Sequence, residues 1–142
     1  MDAALFQTEP MGLRERMLEI RIEDRISYDA ETNTLFLNYA GMRVRNEDDL
    51  DKVKLAVDAT LEPLGKRVNA IVNYDSFSAD DDIIDRYLDL VRYVEKKYYL
   101  KVSRYTTSGF MRLKLGNELE KREVSSHVFE TRREARRHIE QT

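Results

Sequence analysis

Apolar positions along this chain come in two patterns, short strand-like runs and longer runs at helical spacing, and the two alternate. Ile26-Ser27-Tyr28 and Leu35-Phe36-Leu37-Asn38-Tyr39 have strand character. Between them Asp29-Ala30-Glu31-Thr32-Asn33 is rich in turn formers, so the two runs are expected to pair as a hairpin. Asn46 with Asp49 three residues on is a helix-start pattern, and Leu50, Val53, Val57, Leu61 and Leu64 recur at helical spacing until Gly65 supplies the stop. Val68 to Tyr74 is nearly continuous in apolar character, as a central strand covered on both faces requires. The triple aspartate Asp80-Asp81-Asp82 is expected to open a helix whose Ile83, Ile84, Tyr87, Leu88, Val91, Val94 and Tyr98 form an apolar stripe. Lys101 to Tyr105 predicts a further strand, and Thr107 or Ser108 can cap a helix carrying Phe110, Met111, Leu113, Leu115 and Leu119. Val124 to Phe129 reads as the last strand, and Thr131-Arg132-Arg133-Glu134 is a capping box starting a terminal helix through Ala135 and Ile139.

The expected order is therefore ββαβαβαβα, an α/β fold. Strands separated by helices need crossover connections, which implies a mainly parallel sheet with one antiparallel hairpin. Residues 1–25 read differently. Pro10, Gly12 and the run from Leu13 to Ile20 suggest an extended lead-in and a short amphipathic helix with Leu13, Met17 and Ile20 on one face, a linker or docking arm ahead of a domain over residues 26–142.

Composition narrows the classes. A chain of 142 residues with 42% apolar and 36% charged residues suits one soluble globular domain with a heavily charged exterior. No apolar run approaches the roughly 18 residues needed to cross a bilayer, and the N-terminus lacks a secretory pattern, so neither a membrane partner nor export is expected and the default location is cytoplasmic. The chain has no cysteine, which removes disulfides, thiolate metal sites and Cys nucleophiles. A net charge of −3 offers no reason to expect a nucleic-acid partner.

Candidate chemistry is sparse. Asp80, Asp81 and Asp82 could offer oxygens to a hard cation, but consecutive residues at a helix start point in different directions, and acidic residues there stabilise the helix by themselves; no metal site is expected. Thr106-Thr107-Ser108-Gly109, at a strand end that opens a helix, could receive a phosphate or carboxylate through hydroxyls and free N–H groups; a plain N-cap is the alternative. The glycine spacing of a P-loop or dinucleotide fingerprint is missing. His127 and His138 lie on different elements with no metal-ligand or Ser-His-Asp spacing. Arg132, Arg133, Arg136 and Arg137, and the mixture of Tyr93, Lys96, Lys97, Tyr98 and Tyr99, read more simply as a solvated helix face and a helix C-terminus than as a nucleic-acid surface.

Over residues 26–140 the element order and loop positions resemble the sulfate-transporter and anti-sigma-factor-antagonist (STAS) fold. That resemblance implies a hairpin, helices on one side of a sheet, and a functional loop at the start of the second helix. Phosphorylated members carry Asp-Ser-Ser/Thr-Gly in that loop. This chain has Asp80-Asp81-Asp82-Ile83 in register, no hydroxyl at the expected place, and Ser76 and Ser78 shortly before it. The stretch Asp75, Ser76, Ser78, Asp80, Asp81 and Asp82 is thus the expected partner-contact loop.

A second resemblance runs through nearly the whole chain. Asp2-Ala3-Ala4-Leu5-Phe6 to Pro10-Met11-Gly12-Leu13, Leu37-Asn38-Tyr39, Ala70-Ile71-Val72-Asn73-Tyr74-Asp75 and Arg104-Tyr105-Thr106-Thr107-Ser108 are similar to the C-terminal extension of bacterial acyl-CoA:acetate/3-ketoacid CoA-transferases. Those enzymes use a glutamate followed after one residue by glycine as nucleophile. None of the five glycines here follows such a glutamate, so no catalytic residue is expected in this chain. The resemblance implies a noncatalytic accessory domain whose partner is the catalytic region of the same polypeptide or a second copy, with no cofactor of its own and contact with CoA left open. A free-standing STAS-type regulator that binds a protein partner is the alternative.

Overall fold

The computed structural model describes residues 21–141, so the expected lead-in and its helix face of Leu13, Met17 and Ile20 lie outside the described residues. Strands β1 (Ile26–Asp29) and β2 (Thr34–Asn38) form the expected antiparallel hairpin. Its turn is closed locally: Asp29 accepts from the Glu31 N–H at 3.1 Å and the Thr32 hydroxyl at 3.0 Å, and Asn33 takes the left-handed φ of 53° that asparagine tolerates. The hairpin is preceded by a 3-10 turn, Ile22–Arg25. Ile22 packs on the main core, and Arg25 Nη1 donates to the carbonyls of Asn38 and Ala40 at 2.8 Å each. The turn ahead of Ile26 is thus packed as part of the folded unit.

Helix α1 (Glu47–Leu61) starts where Asn46 accepts from the Asp49 N–H at 3.0 Å, and three acidic residues fill its first turn. A 3-10 turn, Glu62–Leu64, carries the chain to Gly65, whose φ of 63° is the left-handed stop. Strand β4 (Val68–Asn73) follows, then α2 (Ile84–Tyr98), β6 (Tyr99–Tyr105), α3 (Gly109–Lys121), β7 (Val128–Phe129) and α4 (Arg132–Glu140). Two short strands escaped the sequence pattern: β3 (Arg43–Val44) and β5 (Ser78–Ala79) pair in parallel as a separate two-stranded sheet. Two-residue strands have no readable period, and these depend on residues 35 positions apart meeting.

The main sheet has the order β1-β2-β4-β6-β7, with β2, β4, β6 and β7 parallel. The strands alternate as a two-sided sheet must. Leu35, Leu37, Ala70, Val72 and Val102 point into the main core, formed with Val53, Val57, Tyr87, Leu88, Val91, Leu115 and Leu119 of the first three helices. Ile71 points the other way and meets Ala135 and Ile139 of α4, flanked by Phe36, Tyr105 and Phe129.

That second layer departs from the resemblance, which implied helices on one side only. Strands that succeed one another across the sheet through crossovers of one hand put every crossover helix on the same face. Helix α4 follows the last strand, is no crossover, and is free to fold under the other face. Two boundaries also differ. The last strand pairs only at Val128 and Phe129, with Val124 to His127 outside it. Helix α2 starts at Ile84, and of the aspartates only Asp85 lies in its first turn.

Candidate functional site

In open parallel sheets the loops beyond the carboxyl ends of the strands are where ligands bind. Here those loops follow Asn38, Asn73, Tyr105 and Phe129. They are laced together by side-chain amides. Asn73 Nδ2 donates to Asn38 Oδ1 at 3.2 Å, Asn38 Oδ1 also accepts from the Ala40 N–H, and Asn73 Oδ1 accepts from the Asp75 N–H at 2.9 Å. The Asp75 carbonyl takes the Gly41 N–H at 2.8 Å.

The carboxylate of Asp75 then reaches the loop after β6. Its Oδ1 accepts from both the Thr107 N–H, at 2.7 Å, and the Thr107 hydroxyl, at 3.1 Å. The two donors of Thr107, central to the segment expected to receive an external anion, are thus already turned toward an internal one. Thr106 is fully buried; its N–H donates to Phe129 O at 3.0 Å, its hydroxyl oxygen accepts from the Ser108 N–H, and its carbonyl accepts from Arg112 Nη1 at 2.8 Å. Ser108 caps α3 by accepting from the Met111 N–H at 3.1 Å. A Cβ at Gly109 would meet only ordinary contact, so no close approach demands glycine there. Gly116 is the tighter position: a Cβ would lie 3.0 Å from the Ser126 carbonyl, which lets α3 press against the segment before β7.

A phosphate approaching Thr107 would meet a carboxylate at hydrogen-bond distance and be repelled. Replacing Asp75 by alanine is expected to remove about 1–2 kcal/mol of stability, because two charge-assisted bonds at a partly exposed site are lost. It should also let inorganic phosphate raise the melting temperature, which it should leave unchanged in the unaltered chain. Thermal unfolding with and without phosphate checks both; a phosphate shift in the unaltered protein would contradict the internal-anion reading.

The acidic loop is equally committed. Asp80 pairs bidentately with Arg43, at 2.9 and 3.2 Å, and its N–H donates to Val44 O at 2.9 Å in the small sheet. These contacts hold Asp80 in the ladder and delay the helix start past Asp81 and Asp82, which are exposed in the intervening turn. Ser76 is exposed with a left-handed φ of 56°, and Ser78 is exposed in β5. No group of three side chains able to hold a metal ion occurs among the described residues.

The two histidines are brought to the same ring: Phe129 lies 4.3 Å from His127 and 5.4 Å from His138, centroid to centroid. His138 Nδ1 is 2.8 Å from Ser103 Oγ, and burial, with Lys101 and His127 nearby, pulls the imidazole below its ordinary pKa. Ser103 is fully buried beneath α4, so no substrate reaches the hydroxyl of this pair.

The lysine–tyrosine mixture is also spent internally. Tyr98 and Tyr99 are buried, Lys97 Nζ sits 5.3 and 5.1 Å from the rings of Tyr93 and Tyr98, and Lys54 Nζ lies 4.9 Å from Tyr93. Both Lys54 Nζ, at 2.9 Å, and the Tyr98 hydroxyl donate to Asp58. Burial pushes the Asp58 carboxyl up, but these bonds outweigh it and hold the pKa below the usual value. Ring faces covered by their own cations are not free for stacking bases. Arg132 and Arg136 stack similarly on Phe36, each 5.6 Å from its centroid.

Two features were not singled out by sequence reasoning. One is a buried polar group in the main core, Arg104 with Glu95 of α2 and Ser125. Its signal was a charged residue on the inward parity of a strand. The other is the outer face of α3, where Phe110 is 75% and Leu113 66% exposed. Both belong to the expected helix pattern but not to its buried side. Against models of protein families, curated proteins and solved structures, the chain has no match. Among the described residues no helix is long and apolar enough to cross a membrane.

Proposed function

We propose that this chain is a noncatalytic, STAS-like accessory domain of an acyl-CoA:carboxylate CoA-transferase that works by protein contact. The observation that carries this reading is the outward apolar face of α3. Exposing two large apolar side chains one helical turn apart costs the isolated domain solubility, and such a pair serves best as an anchor for another protein surface. The strand succession β2-β4-β6-β7 with crossover helices on one face supports the STAS-like architecture, while α4 lies on the opposite face. The loop edge favours contact over ligand chemistry: Asp75 holds Thr107, and Arg43 holds Asp80. For the same reason the loop from Asp75 to Ile84 is a weaker candidate for partner binding than α3.

The partner we assign is the catalytic region of the transferase. The coding sequence immediately before Met1 is expected to encode, in frame, a region with the Glu-x-Gly nucleophile motif. A separately translated gene beginning at Met1 with no such region upstream would overturn the reading. When that catalytic region and this chain are co-expressed as separate pieces, they should co-elute. The double variant Phe110→Ser/Leu113→Ser should weaken the association about tenfold or more while unfolding like the unaltered chain.

A further inference from the structure

A cavity in the main core has a lining that is not uniformly apolar. Tyr39, Tyr74, Tyr87, Tyr99 and Arg104 face it among valines and leucines from β2, β4, α1 and α2. Arg104 is 1% exposed. Its Nη1 donates to Ser125 O at 2.7 Å and its Nη2 to Glu95 Oε1 at 3.1 Å, whereas its Nε–H is buried with no partner among the described residues. The Tyr74 and Tyr87 hydroxyls lie 2.7 Å apart. One of them donates to the other, and the second hydroxyl hydrogen still needs an acceptor. Two buried donors, Arg104 Nε–H and that hydroxyl, therefore border the same space without an acceptor from the protein. Each such orphan costs about 1–3 kcal/mol if left unmet, so a native core does not leave both.

We propose that this cavity is a specific internal hydration site, in which an ordered water accepts a hydrogen bond from Arg104 Nε and bridges to the tyrosine hydroxyls. Size selects the ligand class. The cavity measures ≈ 30 Å³, enough for one or two water molecules and too small for acetate or any larger organic ligand. Charge selects within that class. The guanidinium already has a carboxylate, Glu95, at 3.1 Å, so a halide would be an uncompensated buried anion, whereas water brings no net charge. Chemistry agrees: a buried water needs two to four polar partners, and Arg104 Nε with the Tyr74 and Tyr87 hydroxyls supplies them. The site sits on the guanidinium that ties Ser125, ahead of β7, to α2. The water thus completes a polar node inside the core, independently of what the domain binds.

A crystal structure of the chain at a resolution that shows ordered water, one crystal soaked in bromide, tests this. A density peak at 2.7–3.2 Å from Arg104 Nε and within reach of a tyrosine hydroxyl, with no anomalous signal after the soak, is the expected result. A dry cavity, or a bromide signal at that position, would overturn it. In solution, water cross-relaxation onto the Arg104 Nε–H should appear in the unaltered protein; its absence counts equally against the site. Tyr87→Phe keeps the ring and the fold and removes one oxygen. The water is expected to remain on Arg104 in that variant with one fewer partner, and its loss there would assign the site to the tyrosines and not to Arg104.

Discussion

Replacing Glu95 by alanine is expected to lower the unfolding free energy by about 3–5 kcal/mol, the cost of stripping a buried charge of its counterion. Arg104, next to last in β6, is 1% exposed, and apart from Glu95 and Ser125 it faces apolar and phenolic side chains. Glu95 does more than neutralise it. Its Oε2 accepts from the Ser125 N–H at 2.9 Å and the Ser125 hydroxyl at 3.1 Å, while the Ser125 carbonyl returns to Arg104. The substitution therefore releases the segment before β7 as well. Exposed pairs such as Arg43–Asp80 compare poorly, since solvent reduces them to about 0–1 kcal/mol. Urea unfolding with an unchanged m-value measures the loss. The double variant Glu95→Ala/Arg104→Leu should recover much of it, because a buried ion pair replaced by apolar groups is often neutral in stability. A single-variant loss below about 1 kcal/mol would show that Arg104 is solvated in a way its burial does not suggest.

Leu119→Ala is expected to cost about 2–5 kcal/mol through the removed side chain and the cavity it leaves. Leu119 is 0% exposed and, with Leu115, is one of only two buried residues on α3. Beyond these two leucines only Met111 packs on the core from this helix, since Phe110 and Leu113 face outward. The same change should loosen the surface we propose for the protein partner, so association should fall together with stability. That pattern differs from Phe110→Ser/Leu113→Ser, which should lower association alone. If Leu119→Ala unfolds within about 1 kcal/mol of the unaltered chain, α3 is not anchored through its leucines.

Most elements were legible because their causes are local. The hairpin follows from turn formers between two strand runs. The start of α1 follows from an amide that caps a backbone N–H three residues ahead, and α4 from the reciprocal Thr131–Glu134 box, present as expected with 3.2 Å bonds. The triple aspartate misled for the converse reason. Its acidity suits a helix start, yet the Asp80 N–H continues the small sheet by donating to Val44 O, 36 residues earlier, and that backbone bond, with the Arg43 pair beside it, takes Asp80 out of the helix.

The anion site shows the same limit. Thr106 to Gly109 has the right residue types at the right strand end, but whether its donors are free depends on Asp75, 32 residues away. Phe110 and Leu113 carry the apolar signal of a core helix, and no period distinguishes a stripe that meets the sheet from one that meets solvent. Only the contact made by Leu115 and Leu119 decides that.

By itself, then, the sequence determined the α/β class, the hairpin, the parallel succession of strands and the absence of a glutamyl nucleophile motif, all set by turns, caps and periods acting over a few residues. The tertiary structure alone decided the side of the sheet that α4 covers, the internal carboxylate in the candidate anion site, the outward face of α3, and the guanidinium in the core. Each of these depends on which distant side chains share a few ångströms of space, and spacing along the chain carries no record of that distance.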